Sequence, residues 1–201
     1  MDDIVIQAMA KWPNVPHCYG WLGLDARGAW RMRDEAAQQA GGPGDKLANS
    51  ALVGFIERNY QRDARGCWYF QNGPQRVYVN LETTPFIART DPVHGLVLHS
   101  GAPFAAPEQA FLTEAGALVL QAGEIVAQVD DRDMAQLLQW LELDRRRVSD
   151  EALMAWLEGS SGELALRWGE RRIAVERLGP DEAPGRFGFV RRPDQLQAQD
   201  T

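Results

Sequence analysis

The sequence predicts an α+β protein made of two similar hairpin–helix–hairpin modules, with mostly antiparallel strands and a pseudo-symmetric internal duplication. Three observations carry this reading. Gly66–Leu81 (GCWYFQNGPQRVYVNL) alternates apolar and polar residues on both sides of Asn72-Gly73, a period of two around a turn signal. A later stretch repeats it: Trp68 and Phe70 face Leu164 and Leu166, Gly73 faces Gly169, and Arg76, Val77 and Val79 face Arg172, Ile173 and Val175. Upstream, LDARGAW (24–30) faces LTEAGAL (112–118), and Leu52, Val53, Phe55 and Ile56 face Leu137, Leu138, Trp140 and Leu141. Three elements therefore recur in one order, which is the signature of a repeat.

Taken in order, Ile4, Ile6, Ala8, Met9 and Trp12 sit at helical spacing and predict a short amphipathic helix over 2–12, stopped by Pro13. PNVP is an extended linker. CYGWLGLD, ARG and AWRM read as strand, turn and strand, with Gly28 at the turn. The polar, Gly-rich stretch 34–47 reads as a loop; its GGPGDK lacks the spacing of a phosphate-cradling P-loop. Asn49 or Ser50 caps a helix that presents Leu52, Phe55, Ile56 and Tyr60 on one face. After the 66–81 hairpin, 83–90 and 95–101 read as strands around the turn DPVHG, 102–110 as a loop, 111–120 as a hairpin and 124–131 as a strand. A helix is predicted over 131–143 from the stripe Leu137, Leu138 and Leu141. The basic link Arg145–Arg147 follows, then a helix opened by Ser149 and Asp150, a break at 159–162 and a last hairpin over 163–178. The modules are placed at 1–100 and 101–192, with a polar tail at 193–201.

With 201 residues and 45% hydrophobic content, the chain is long enough for a substantial core. A net charge of −7 argues against general nucleic-acid binding, which needs a basic surface. The two cysteines, Cys18 and Cys67, are far apart and read as free thiols rather than a disulfide or zinc site. The N-terminus opens with two acids and lacks a signal-peptide core, and no run is apolar enough to span a bilayer. The expectation is a cytoplasmic protein without membrane contact.

The duplication assigns faces to the strands. Positions 68, 70, 77 and 79 stay apolar in both halves and are expected to be core, which turns positions 69, 71, 76, 78 and 80 the other way. That opposite face carries Tyr69, Gln71, Arg76 and Tyr78 in the first half, against Ala165, Arg167, Arg172 and Ala174 in the second. Tyr and Arg are the residue types that carry interface energy, so Tyr69, Gln71, Arg76 and Tyr78 are the candidate binding residues. A covering by the N-terminal helix or by the loop near Gly41 is the competing reading. Arg76 and Arg172 each either hold an anion or pin their own hairpin to a nearby acid, such as Glu82 or Glu176.

No catalytic residues, metal ligands or cofactor are assigned. Only His17, His94 and His99 are available as bases, no G-x-S-x-G elbow occurs, and Cys18 beside His17 is a neighbour in sequence alone. The cluster Asp130, Asp131 and Asp133 reads as a helix cap and fails the EF-hand pattern.

The order Asp25–Trp30, Leu52–Ile56, Asp63–Phe70, Gly73–Val79 and Thr84–Phe86 resembles uncharacterised proteobacterial proteins known only as domains of unknown function. The resemblance implies repeated α+β modules and a signalling role, and it brings no catalytic residues; the Gly-rich loop before the helix departs from the pattern. The expected function is a non-enzymatic module that binds a small ligand or a protein partner. The alternatives are an enzyme whose polar groups, His17, Cys18 or His94 among them, converge only in three dimensions, and a homodimer joined through a sheet edge.

Overall fold

The computed structural model describes residues 1–12 and 14–193. Pro13 and the expected polar tail from residue 194 onward lie outside the described residues. The chain divides into two compact units, residues 1–85 with 188–193, and Phe86–Phe187. It is a mixed α/β structure with two sheets whose pairings are mostly antiparallel. No helix among the described residues is long and apolar enough to cross a membrane.

The first unit contains α1 (Asp3–Lys11), β1 (Cys18–Leu24), β2 (Trp30–Met32), α2 (Glu35–Gln39), β3 (Asp45–Lys46), α3 (Ser50–Arg58), β4 (Tyr60–Arg62), β5 (Trp68–Asn72) and β6 (Gln75–Leu81). Its strands form one six-stranded sheet in the order β3-β2-β1-β6-β5-β4. β6 pairs antiparallel with β5 and parallel with β1. The hairpin turn falls one residue later than the Asn-Gly signal: Asn72 pairs with Gln75, and Gly73-Pro74 make the loop with Gly73 at φ +55°.

The tight connections share one chemistry. At Asp25–Ala29 the Asp25 carboxylate accepts the Arg27 and Ala29 amides, and Gly28 takes φ +77°. Asp63 does the same for Arg65 and Cys67, with Gly66 at φ +83°. Asn49 caps α3 through the Leu52 amide, and α3 packs Ile56 into the core and Phe55 edge-on against Phe70 at 5.4 Å. The buried Asn59 accepts the Asp2 amide and so ties the start of α1 to the end of α3. The helix α2 stands inside the expected loop; the Asp34 side chain caps it by accepting the Ala37 amide.

The second unit contains β7 (Phe86–Asp91), β8 (Gly95–Leu98), β9 (Gln109–Thr113), β10 (Leu118–Ala122), β11 (Ile125–Val129), α4 (Met134–Leu137), β12 (Leu141–Leu143), β13 (Arg146–Arg147), α5 (Asp150–Leu157), β14 (Leu164–Trp168), β15 (Arg171–Leu178) and α6 (Glu182–Phe187). Its nine-stranded sheet runs β13-β12-β14-β15-β9-β10-β11-β7-β8. Leu112, Leu118, Leu120, Leu137, Leu141, Leu164 and Leu166 form the centre of its core.

Two expectations change here. The predicted helix over 131–143 is broken into two 3₁₀ turns around the single turn of α4, and residues 141–143 become a strand. The physical reason is the open edge of β14: Leu141 pairs with Leu166 and satisfies that edge while staying fully buried. Arg145–Arg147 form a β-turn and strand rather than a link, with Asp144 and Arg145 at φ 49° and 65°. The segment EAPGRF forms α6, with Ala183 buried and Phe187 meeting Phe111 edge-on at 5.2 Å.

His99 lies buried in this unit, where its Nδ1 accepts the Ile87 amide at 3.3 Å. Burial, helped by the Arg89 charge, holds the imidazole down at about 4. An unfolded histidine takes up its proton near pH 6.5, so between about 6.5 and 4 the unfolded chain binds more protons. The His99 contribution is complete above about pH 6.5 and falls away as pH drops towards 4, by about 3 kcal/mol. In denaturant titrations at pH 7 and pH 4, the wild type is expected to lose about 3 kcal/mol more than His99→Asn; equal losses would mean that this imidazole protonates normally.

Candidate functional site

The face of the first sheet that carries the sequence-predicted binding residues is built from cross-strand pairs. Tyr69 sits opposite Tyr78, and Gln71 opposite Arg76. The structure brings all four together, but three of them are buried: Tyr69 is 5% exposed, Gln71 1% and Tyr78 1%. Residues 17–19 and Val190 supply cover. Tyr19 stacks on Tyr78 at 4.5 Å with an interplanar angle of 3°, His17 meets the same ring edge-on at 5.8 Å, and Tyr19 and Val190 pack over the cluster. Trp68 and Val77 on the opposite face are half-buried, so both faces of this hairpin are covered.

The polar atoms of this cluster are mostly committed to one another. The Tyr78 hydroxyl donates to Asp63 at 3.1 Å and accepts from the Arg65 guanidinium at 3.1 Å. Tyr69 donates to Gln61, and Gln71 donates to the carbonyls of Gly73 and Gln75. Arg76 lies 4.6 Å over the Tyr69 ring, half-buried, and is the member of the four with surface to offer. Burial works against the Asp63 charge, but the Cys67 amide, Arg65 and Tyr78 outweigh it and hold the carboxyl below its ordinary range. Burial, then the Arg76 and Arg65 charges, lowers the His17 imidazole. Burial pushes the Cys67 thiol up, which keeps it protonated and unreactive.

Beside this cluster, on the same unit, a cleft of about 370 Å³ opens. Gly23 of β1, Arg31 of β2, the following Arg33, Asn80 of β6, Glu82 and Arg192 line it, and Gly41 to Pro43 form one wall. Gly23 sits opposite both Asn80 and Arg31 in the register, so the three share one side of the sheet. Asn80 follows Tyr78 by two residues, which puts the cleft on the same side of the sheet as the tyrosines. Arg31 is held by Asp25 at 2.8 Å. Arg33 donates to the carbonyls of Gly42 and Gly20, pinning the Gly-rich loop to β1. Glu82 accepts the Ala26 amide.

Reading the sequence alone missed Arg31, Arg33, Arg192 and Gly23. Two arginines separated by one residue beside a strand pattern, as in WRMR, were the available signal, since that spacing returns to one face. Arg172 pins its hairpin through Glu142 and Glu163, both at 3.2 Å. Its counterpart Arg76 stacks instead of pairing. Asp130 caps the turn after β11 by accepting the Arg132 amide, and Asp133 accepts the Thr90 amide. His17 and Cys18 belong to the first unit and His94 to the β7–β8 turn of the second. Among the described residues, no group of three or more His, Cys, Asp or Glu side chains is placed to hold a metal ion.

The packing of Tyr78 sets a test. Tyr78→Ala is expected to cost about 3–5 kcal/mol, as for any large aromatic side chain removed from a core. Tyr78→Phe, which keeps the stacking and loses the hydroxyl, should cost about 1–2 kcal/mol. Urea denaturation at pH 7 measures both; an alanine variant as stable as the wild type would put the ring outside the core.

The family described as "Protein of unknown function (DUF2946)" matches residues 1–194. The crystal structure of a DUF1285 family protein from Silicibacter pomeroyi DSS-3 is similar at a TM-score of 0.49 and 15% identity, over 98% of this chain and 99% of that one. No curated protein matches the chain.

Proposed function

This chain belongs to the family described as "Protein of unknown function (DUF2946)", and we propose that it is a non-enzymatic, cytoplasmic regulatory module that binds a small ligand on the tyrosine face of its first unit. The buried Tyr69, Gln71 and Tyr78 hold β5 and β6 rigid, Arg76 lies over Tyr69, and the cleft beside Asn80, on the same side of the sheet, receives the ligand.

We further propose that the two units descend from one duplicated hairpin–helix–hairpin ancestor, the origin the repeat in the sequence suggests. Their strand orders support it. The succession β3-β2-β1-β6-β5-β4 of the first sheet has a counterpart in β11-β10-β9-β15-β14-β12 within the second. In each, the last strand of the closing hairpin lies parallel to the first strand of the opening one. The turn at Thr113–Ala117, where the Thr113 hydroxyl accepts the Ala117 amide, parallels the turn at Asp25–Ala29.

One observation carries the placement of the ligand. Gly23 sits opposite Asn80 and Arg31; at the matching register of the second sheet Phe111 sits opposite Glu176 and Val119. Phe111 is fully buried and is capped by Phe187 of α6. Where one unit fills the position with a ring and a helix, the other has a glycine and an open cleft. A packing role alone gives no reason to keep that volume empty.

Native mass spectrometry on freshly purified protein, with a denatured control, tests the reading. The expected result is a bound mass lost on denaturation and absent from Gly23→Ala. A bare chain whose melting temperature no fraction of a small-molecule extract raises would sink it.

A further inference from the structure

The charges around the cleft narrow the ligand class. We propose that the cleft binds a small oxyanion, the carboxylate or phosphate group of a metabolite-sized ligand, held by Arg33 and Arg192; this rests on the cleft being the binding site.

Three guanidinium groups line the cleft in a chain whose net charge is −7. The two acids beside them are already engaged. Asp25 holds Arg31 and two amides of its own turn, and Glu82 accepts the Ala26 amide. Arg33 is half-buried and pairs with two carbonyl oxygens but with no carboxylate among the described residues. Arg192 is exposed and makes no hydrogen bond or ion pair with the other described residues. Carbonyls orient a guanidinium without neutralising it, and its planar fork matches the paired oxygens of a carboxylate or phosphate.

The second unit shows the same place with its charge balanced internally. There Arg186 lies 4.4 Å over the Phe111 ring and pairs with Glu176 at 2.5 Å. Glu176 occupies the register position that Asn80 holds in the first unit. With a neutral amide in place of that carboxylate, Arg33 and Arg192 have no carboxylate partner among the described residues, and the anion has to come from outside. The Asn80 Oδ1 is itself buried without a hydrogen-bond partner among the described residues. An acid that also carries an O–H or N–H would satisfy it, which favours a hydroxy acid or a phosphorylated alcohol over a bare anion.

Gly23 supplies a probe that leaves the arginines intact. A methyl group there would lie 3.5 Å from the Asn80 carbonyl oxygen, and 3.8 Å from both the Arg31 Cβ and the Arg33 Cδ. It would fill the floor between the two arginine stems at ordinary contact distances.

The test is an amide NMR titration of the full-length chain with inorganic phosphate and, separately, with L-malate and succinate, each replacing chloride at constant ionic strength. Saturable shifts at Gly23, Asn80 and Arg192 are expected, with malate tighter than succinate. Arg192→Ala should weaken binding about tenfold, the effect of one charge-assisted hydrogen bond. Gly23→Ala should abolish saturation while melting within about 2–4 °C of the wild type. The proposal is overturned if no anion saturates below about 10 mM, far weaker than a functional site. It is also overturned if saturation survives in both variants, which would put the anion elsewhere. A co-purified molecule that has no acidic group and is lost in Gly23→Ala would overturn the anion class and leave the binding reading standing.

Discussion

Strand β6 is the constraint around which the first unit is arranged. It is hydrogen-bonded on both edges, parallel to β1 and antiparallel to β5, and its side chains are covered on both faces. A polar group in such a strand has no water to fall back on, so it needs an internal partner or incurs a desolvation cost of about 1–3 kcal/mol. Tyr78 meets the requirement through Asp63 and Arg65, which the turn at Gly66 delivers to its hydroxyl. The turn, the tyrosine stack and the cover by residues 17–19 are therefore one linked arrangement. Two residues further along, Asn80 leaves its Oδ1 unmatched. That is the point at which the strand passes from scaffold to cleft.

The comparison of the two sheets at matched register turns a general description into a local contrast. One position holds glycine, amide and arginine; the other holds phenylalanine, carboxylate and valine. The second combination closes on itself, with α6 as its lid and an ion pair to neutralise its arginine. The first is open, and of the three arginines along it only Arg31 has a carboxylate partner among the described residues. Differences at three positions thus separate a packed surface from an open one while the strand pairing stays the same.

Much of the architecture was legible because strands of period two and turns with obligatory glycines write themselves into sequence. The 66–81 hairpin, the α3 stripe and the last hairpin over 163–178 all came from such patterns. The misses have physical causes. Leu137 and Leu141 fit a helical stripe, but the stripe also fits a helix that ends in a strand, and the unsatisfied edge of β14 decided between them. Alternation correctly put Tyr69, Gln71, Arg76 and Tyr78 on one face, yet alternation cannot say what covers a face. The cover came from Tyr19 and His17, beyond a register shift in β1. The cleft was not readable because its parts, Gly23, Arg33, Asn80 and Arg192, meet only through strand order.

The first unit is discontinuous, and its missing piece is short. The Val190 amide donates to the Gly66 carbonyl, Arg191 accepts the Leu81 amide, and Arg192 lines the cleft. A ribosome must therefore synthesise all of the second unit before it releases the residues that complete the first. During that interval the nascent chain holds a sheet with its tyrosine cluster only partly covered and its cleft one arginine short. The order of synthesis thus leaves the cleft incomplete until the whole second unit has been made.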